Sequence, residues 1–191
     1  VAGHALQSWT IEAWVRPDVG ADGVVLQRKV FNTIPAVSTN AINYEIGVTP
    51  GPSGTVRPYV RYVGLATNGA PVEVRVNGLG PTEVVGGSQV TGLIPVEEWS
   101  HIAGAYDQDA HKLILFINGE QASYRLDAFA PWGLTGDVDA QVYDAYLTVG
   151  GGFGPGSVVE NGFEGYIDDV AIAAGASDSA TLARSLQIRS P

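Results

Sequence analysis

Apolar and polar positions alternate along most of this chain, and alternation in steps of two marks a strand that buries one face of a sheet. Between Trp9 and Arg16, the residues Trp9, Ile11, Ala13 and Val15 interleave with Thr10, Glu12, Trp14 and Arg16, which predicts a strand. The same pattern predicts strands at Gly23–Val30, Ile42–Val48, Thr55–Val63 and Val72–Val76, each bounded by Gly, Pro or Asn. In the last of these, Val72, Val74 and Val76 point inward and Glu73 and Arg75 outward. Trp99–Asp107 reads as another strand, closed by a polar turn at Gln108 and Asp109.

The strongest local signal is a hairpin at Lys112–Leu126. The run Leu113-Ile114-Leu115-Phe116-Ile117 meets Asn118-Gly119, a pair that favours a type I′ turn because both central positions need positive φ. Its first strand is expected to pair with Trp99–Asp107. Only the last segment has a helical period: Ser179 is placed to cap a turn that carries Leu182 and Leu186 on one face. The Gly- and Pro-rich stretches Thr49–Gly54, Gly78–Gly87 and Gly150–Gly156 read as loops within the fold, because strands continue on both sides. No linker and no internal repeat interrupts the series, so residues 1–191 are expected to form one domain.

Composition fits many short strands joined by turns: 25 Gly and 11 Pro among 191 residues, with 45% hydrophobic residues. No apolar run approaches the ~20 residues that cross a bilayer, so membrane insertion is not expected. Twenty acidic residues against ten basic ones give a net charge of −10, which repels phosphate backbones and argues against nucleic acid as a partner. Cysteine is absent, which excludes disulfides, zinc knuckles and thiolate nucleophiles. Methionine is absent too, and the expectation is a segment processed or excised from a longer product.

Four motifs recur in a familiar order: Ser8-Trp9-Thr10-Ile11-Glu12-Ala13-Trp14-Val15-Arg16-Pro17, Glu98-Trp99-Ser100-His101-Ile102-Ala103-Gly104-Ala105-Tyr106-Asp107, Leu115-Phe116-Ile117-Asn118-Gly119, and Phe163-Glu164-Gly165-Tyr166-Ile167-Asp168-Asp169-Val170-Ala171-Ile172. Together they closely resemble the laminin-G-like jellyroll family of concanavalin A-like fold. The resemblance implies an all-β, two-sheet antiparallel jellyroll β-sandwich, found in modular secreted or surface proteins, with ligands met at the concave face or the rim loops. It does not imply one function, since such folds carry binding modules, adhesion domains and accessory domains beside hydrolases. One departure is visible: a strand usually precedes the Trp-Thr-Ile-Glu-Ala-Trp segment, and here only Val1–Ser8 do.

Asp168 and Asp169 are adjacent acids in an otherwise apolar strand, where alternation fails and a bulge is expected. They are the candidate ligands for a structural calcium ion, a hard cation that takes oxygen donors; the competing reading is that they only fix the bulge. Asp137, Asp139 and Asp144 do not make an EF-hand, because Val142 stands at the glycine position and Thr148 at the glutamate position. Asp107 and Asp109 read as turn acids. Trp132, Phe153 and Phe129 fall in expected loops and are the candidates for stacking on a sugar, against a reading as loop anchors. Trp9, Trp14 and Trp99 belong to the family motifs and are expected in or beside the core.

Catalysis has little support. Glu-x-Asp-x-x-Glu is missing, and Glu164 and Asp168 lie four strand positions or roughly 13 Å apart, beyond either glycosidase geometry. His4, His101 and His111 have no metal-ligand spacing, and the glycines at 150–154 make no phosphate cradle because Pro155 intervenes and no helix follows. The expectation is a noncatalytic module of an exported, multidomain protein at the cell surface or outside the cell. Its expected partner is a carbohydrate or a protein, and the alternative is a structural or adhesion module of a surface assembly without a glycan.

Overall fold

The computed structural model describes residues 6, 8–31, 41–65, 71–78, 84–85, 88–89, 92–126, 144–153 and 158–189. In chain order the strands are β1 (Trp9–Pro17), β2 (Gly23–Phe31), β3 (Ala41–Pro50), β4 (Thr55–Leu65), β5 (Pro71–Asn77), β6 (Val84–Val85), β7 (Ser88–Gln89) and β8 (Ile94–Pro95). They continue with β9 (Ser100–Asp107), β10 (Lys112–Ile117), β11 (Glu120–Leu126), β12 (Asp144–Val149), β13 (Gly152–Phe153), β14 (Val159–Glu160) and β15 (Gly165–Ala174), and α1 (Ser179–Arg189) closes the series. One sheet has the order β11-β10-β9-β1-β15, and the second runs β12-β2-β3-β4-β5 with β8 paired to β4. Two small hairpins, β6-β7 and β13-β14, stand apart. Pairing is antiparallel in both sheets.

The core lies between the sheets. Trp9, Ile11, Ala13 and Val15 from β1 meet Tyr44, Ile46 and Val48 from β3, Val60 and Tyr62 from β4, and Val74 and Val76 from β5, all buried. Alternation in the sequence is therefore the alternation of a sandwich strand, as expected. The sheets come close at Gly104, where a Cβ would run into Cγ2 of Val60. A side chain there would hold the sheets apart.

Thr10 and Glu12, which alternation assigns to solvent, are buried. Thr10 lies under the approach to the C-terminal helix, and Glu12 lies against the buried His101, 3.3 Å from its Nε2. Leu182 is 2% exposed and packs with Ala103, Ala105, Ile114 and Phe116 on the outer side of the first sheet. Thr10 ties the approach to the helix: its Oγ1 donates to the Gly175 carbonyl and accepts from the Ser177 N–H, both at 2.8 Å. The cap is Asp178 and not Ser179, since the Thr181 N–H donates to Asp178 Oδ1 at 2.8 Å and the Leu182 N–H to the Asp178 carbonyl at 3.1 Å. These bonds favour the ionised carboxyl and hold its pKa below the ordinary value, the bonds to Thr181 leading.

The Asn118-Gly119 turn has the positive φ that a type I′ turn demands, 51° and 81°. Two further readings need correction. Gly150–Gly156 is not wholly loop, because Gly152 and Phe153 form β13 against β14. Trp99 is 39% exposed and lies outside the core.

Candidate functional site

The outer face of the second sheet carries a polar row that crosses five strands. The antiparallel register aligns Thr148 of β12 with Gln27 of β2, Gln27 with Glu45 of β3, Glu45 with Arg61 of β4, and Arg61 with Arg75 of β5. Paired residues share a face. In the sequence these five residues lie far apart, and only the sheet order makes them neighbours.

Glu45 is the hub. Its side chain is fully buried, and its carboxylate accepts from Gln27 Nε2 at 2.6 Å, the Tyr59 hydroxyl at 2.7 Å, and Arg61 Nε and Nη2 at 2.7 and 2.9 Å. Arg61 also donates to Glu73 from Nη1 at 2.6 Å, so one guanidinium bridges two carboxylates. Gly47 gives Tyr59 its path: a Cβ at that position would lie 2.6 Å from the Tyr59 oxygen. Arg75 then covers the Tyr59 ring at 3.7 Å from its centroid. Burial and the adjacent Glu45 carboxylate both push the Tyr59 hydroxyl far up from its ordinary value. For Arg61 desolvation acts downward, but the two carboxylates outweigh it and the guanidinium is raised.

At the β12 edge of this face the polar row gives way to rings. The Phe153 N–H donates to Gln27 Oε1 at 2.9 Å, and Lys29 Nζ donates to the Phe153 carbonyl at 2.8 Å, so β13 is pinned over β2 by its backbone. The Phe153 ring meets Tyr146, 5.4 Å away and tilted by 59°. Tyr146 is 47% exposed. Three of the chain's ten Lys and Arg residues, Lys29, Arg61 and Arg75, belong to the strands of this sheet and engage these outward-facing groups. An exposed Tyr146 on a half-buried Phe153, beside a row that reaches solvent at Arg61, Glu73 and Arg75, suits a ligand with hydroxyls on its rim and C–H groups on its face.

Of the candidate residues from the sequence, Phe153 belongs to this site, while Trp132 and Phe129 lie outside the described residues. Asp168 and Asp169 lie on β15, at the far edge of the other sheet. The bulge expected there is present: Glu12 pairs with Ala171 but Trp14 with Asp168, so β15 carries one extra residue, and Asp169 has φ 46°. Both acids are exposed, and Asp168 Oδ1 accepts from the Asp169 N–H at 2.8 Å. Among the described residues no three acids or histidines gather as a metal cluster. The pair supplies hard oxygen donors, fewer than the six to eight that calcium takes, so carbonyls and water would complete any shell.

Residues 2–183 match the family described as the concanavalin A-like lectin/glucanases superfamily, in its laminin-G form. The chain belongs to this family. Solved structures similar to this concanavalin A-like domain include the CBM40 of Ruminococcus gnavus IT-sialidase bound to alpha2,3 sialyllactose. It is 17% identical over 96% of this chain and 84% of that one, with a TM-score of 0.63. A heptameric SAP-like pentraxin from Limulus polyphemus is 9% identical, over 93% of this chain and 69% of that one, with a TM-score of 0.54. Domain 4 of AbnA, a GH43 extracellular arabinanase from Geobacillus stearothermophilus in complex with arabinotriose, is 15% identical, over 94% and 66% of the two chains, with a TM-score of 0.51. At these identities the shared property is the fold. No curated protein matches the sequence of this chain. Among the described residues of this concanavalin A-like domain, no helix is long and apolar enough to cross a membrane.

Proposed function

We propose that this domain is a noncatalytic carbohydrate-binding module of an exported protein, and that the sugar lies on the outer face of the second sheet. The observation that carries this reading is the Tyr146–Phe153 ring pair beside the Gln27–Glu45–Arg61–Arg75 row. The rings offer a stacking surface, and the accessible end of the row, Arg61, Arg75 and the adjoining Glu73, offers polar groups, the combination that orients a polyhydroxylated ligand. Carbohydrate-binding modules among the similar structures support it. The arrangement of acids supports a noncatalytic role: Glu45 is enclosed by four donors and Glu73 is held by Arg61, so neither is presented as a proton donor to a substrate.

The test is a glycan array followed by calorimetry on the strongest hit. Tyr146→Ala and Arg75→Ala are each expected to weaken binding about tenfold, equivalent to about 1.4 kcal/mol. Unchanged affinity in both variants refutes the placement of the site. An array without hits favours a protein partner in a surface assembly, for which Leu147 and Val149 on β12 and Tyr166 and Val170 on β15 offer exposed apolar groups.

Calcium at Asp168 and Asp169 is a separate part of the proposal. At one hundred times its dissociation constant a bound ion stabilises by about 2.7 kcal/mol, which at this size raises the unfolding midpoint by about 5–10 °C. Such a rise in millimolar calcium, absent with chelator and lost in Asp168→Ala, places the ion. An unchanged midpoint leaves the acids as bulge residues.

A further inference from the structure

Arg28 is the unusual charge in this domain. It is 1% exposed, and its side chain points between the sheets, because its register partner is Tyr44, a core residue. Neither Nη1 nor Nη2 has a hydrogen-bond partner among the described residues. The same holds for the indole Nε1 of Trp9, which is fully buried and whose ring lies 5.5 Å from that of Tyr44. Three buried donors on two side chains thus flank one tyrosine without an acceptor. Beside them Asn43, the extra residue where the β2–β3 register slips between Arg28 and Lys29, has both amide atoms buried and unpartnered as well.

A guanidinium cannot escape this situation by losing its proton. Burial pushes its pKa down and the Tyr44 hydroxyl offsets part of that, but arginine starts so high that it stays a cation at neutral pH. An uncompensated buried charge costs several kcal/mol, and guanidinium and indole can only donate. What completes the site is an acceptor with negative charge. The nearest exposed inner-face neighbour in register is Leu147 on the edge strand β12, the partner of Arg28, which is 38% exposed.

We infer that Arg28 holds a small monovalent anion, chloride or a carboxylate, between the two sheets. The ion acts as a structural element, independent of any sugar on the outer face. Its negative charge and lone pairs satisfy the Arg28 fork, and the planar guanidinium suits the two oxygens of a carboxylate in particular.

The experiment is thermal unfolding of the whole domain at constant ionic strength, in sodium gluconate and then with gluconate replaced by chloride or by formate. Gluconate is too bulky for a site between the sheets and provides the baseline. At a tenfold excess over its dissociation constant the bound anion is expected to raise the midpoint by about 3–6 °C. Arg28→Met is expected to abolish this dependence while melting no lower than the wild type in gluconate, since the buried charge is gone. Arg28→Lys keeps the charge in a domain of nearly unchanged volume and is expected to retain part of the dependence, which covers the case of a Met variant that does not fold. Equal midpoints in gluconate, chloride and formate overturn the inference. So does a rise that is the same in wild type and Arg28→Met, because the ion then acts elsewhere.

Discussion

Replacing Glu45 by alanine removes one carboxylate and strands four donors at once, on Gln27, Tyr59 and twice on Arg61. A hydrogen bond to a charged group contributes about 1.5–3 kcal/mol, but the four share one acceptor and do not add. A better bound is the cost of breaking a buried ion pair, about 3–5 kcal/mol. The lower end applies here, because the Arg61 side chain is 22% exposed and keeps Glu73 as a partner. A loss of about 3 kcal/mol lowers the midpoint by about 6–12 °C in a domain of this size. Thermal unfolding followed by circular dichroism measures it, and Glu73→Ala is the internal control. Glu73 is 44% exposed, and a solvent-screened pair contributes under about 1 kcal/mol. If the two variants melt within about 2 °C of each other, Glu45 is not the hub of this face and the reasoning from burial and bond count fails.

Asp178→Ala removes the cap of α1 and is expected to lower the unfolding midpoint; Ser179→Ala, by contrast, should leave it unchanged. Gly104→Ala drives a methyl group into Val60 between the sheets and is expected to cost about 1–3 kcal/mol, partly recovered in the double variant with Val60→Ala; additive effects in a denaturant titration would refute the contact. Stability is expected to fall above pH ~10. Tyr44 is raised to about 12, chiefly by burial, and Tyr59 is raised as well. Below pH ~10 both states hold these protons and stability is complete; above it the unfolded chain ionises first, so stability falls by up to about 1.4 kcal/mol per pH unit for each tyrosine. For Tyr44 that decline ends near its folded value. Urea titrations between pH 9 and 11.5 check this, and a flat profile contradicts it.

Local chemistry was legible without coordinates. Alternation located β1 through β5, the Asn118-Gly119 pair fixed its turn, and broken alternation at Asp168-Asp169 marked the bulge, because each depends on backbone preference or side-chain period within a few residues. Where distant elements meet, the same signals pointed wrongly. Thr10 and Glu12 look like solvent positions until Gly175 and Ser177 close over one and His101 meets the other, and Ser179 looks like a cap until Asp178 is seen to bond Thr181. Gly150–Gly156 looks like a loop until β13 docks over β2. Gln27, Glu45, Arg61 and Arg75 carried no motif, since charged residues on alternating strands read as a solvated face. Sequence determined which face of each strand they occupy; only the order β12-β2-β3-β4-β5 and its register decided that they form one row, because cross-strand distance depends on pairing and not on separation along the chain. Arg28 shows the same division. Its charge is written in the sequence, but its burial without a partner follows from a register that sets it opposite Tyr44 inside the sandwich.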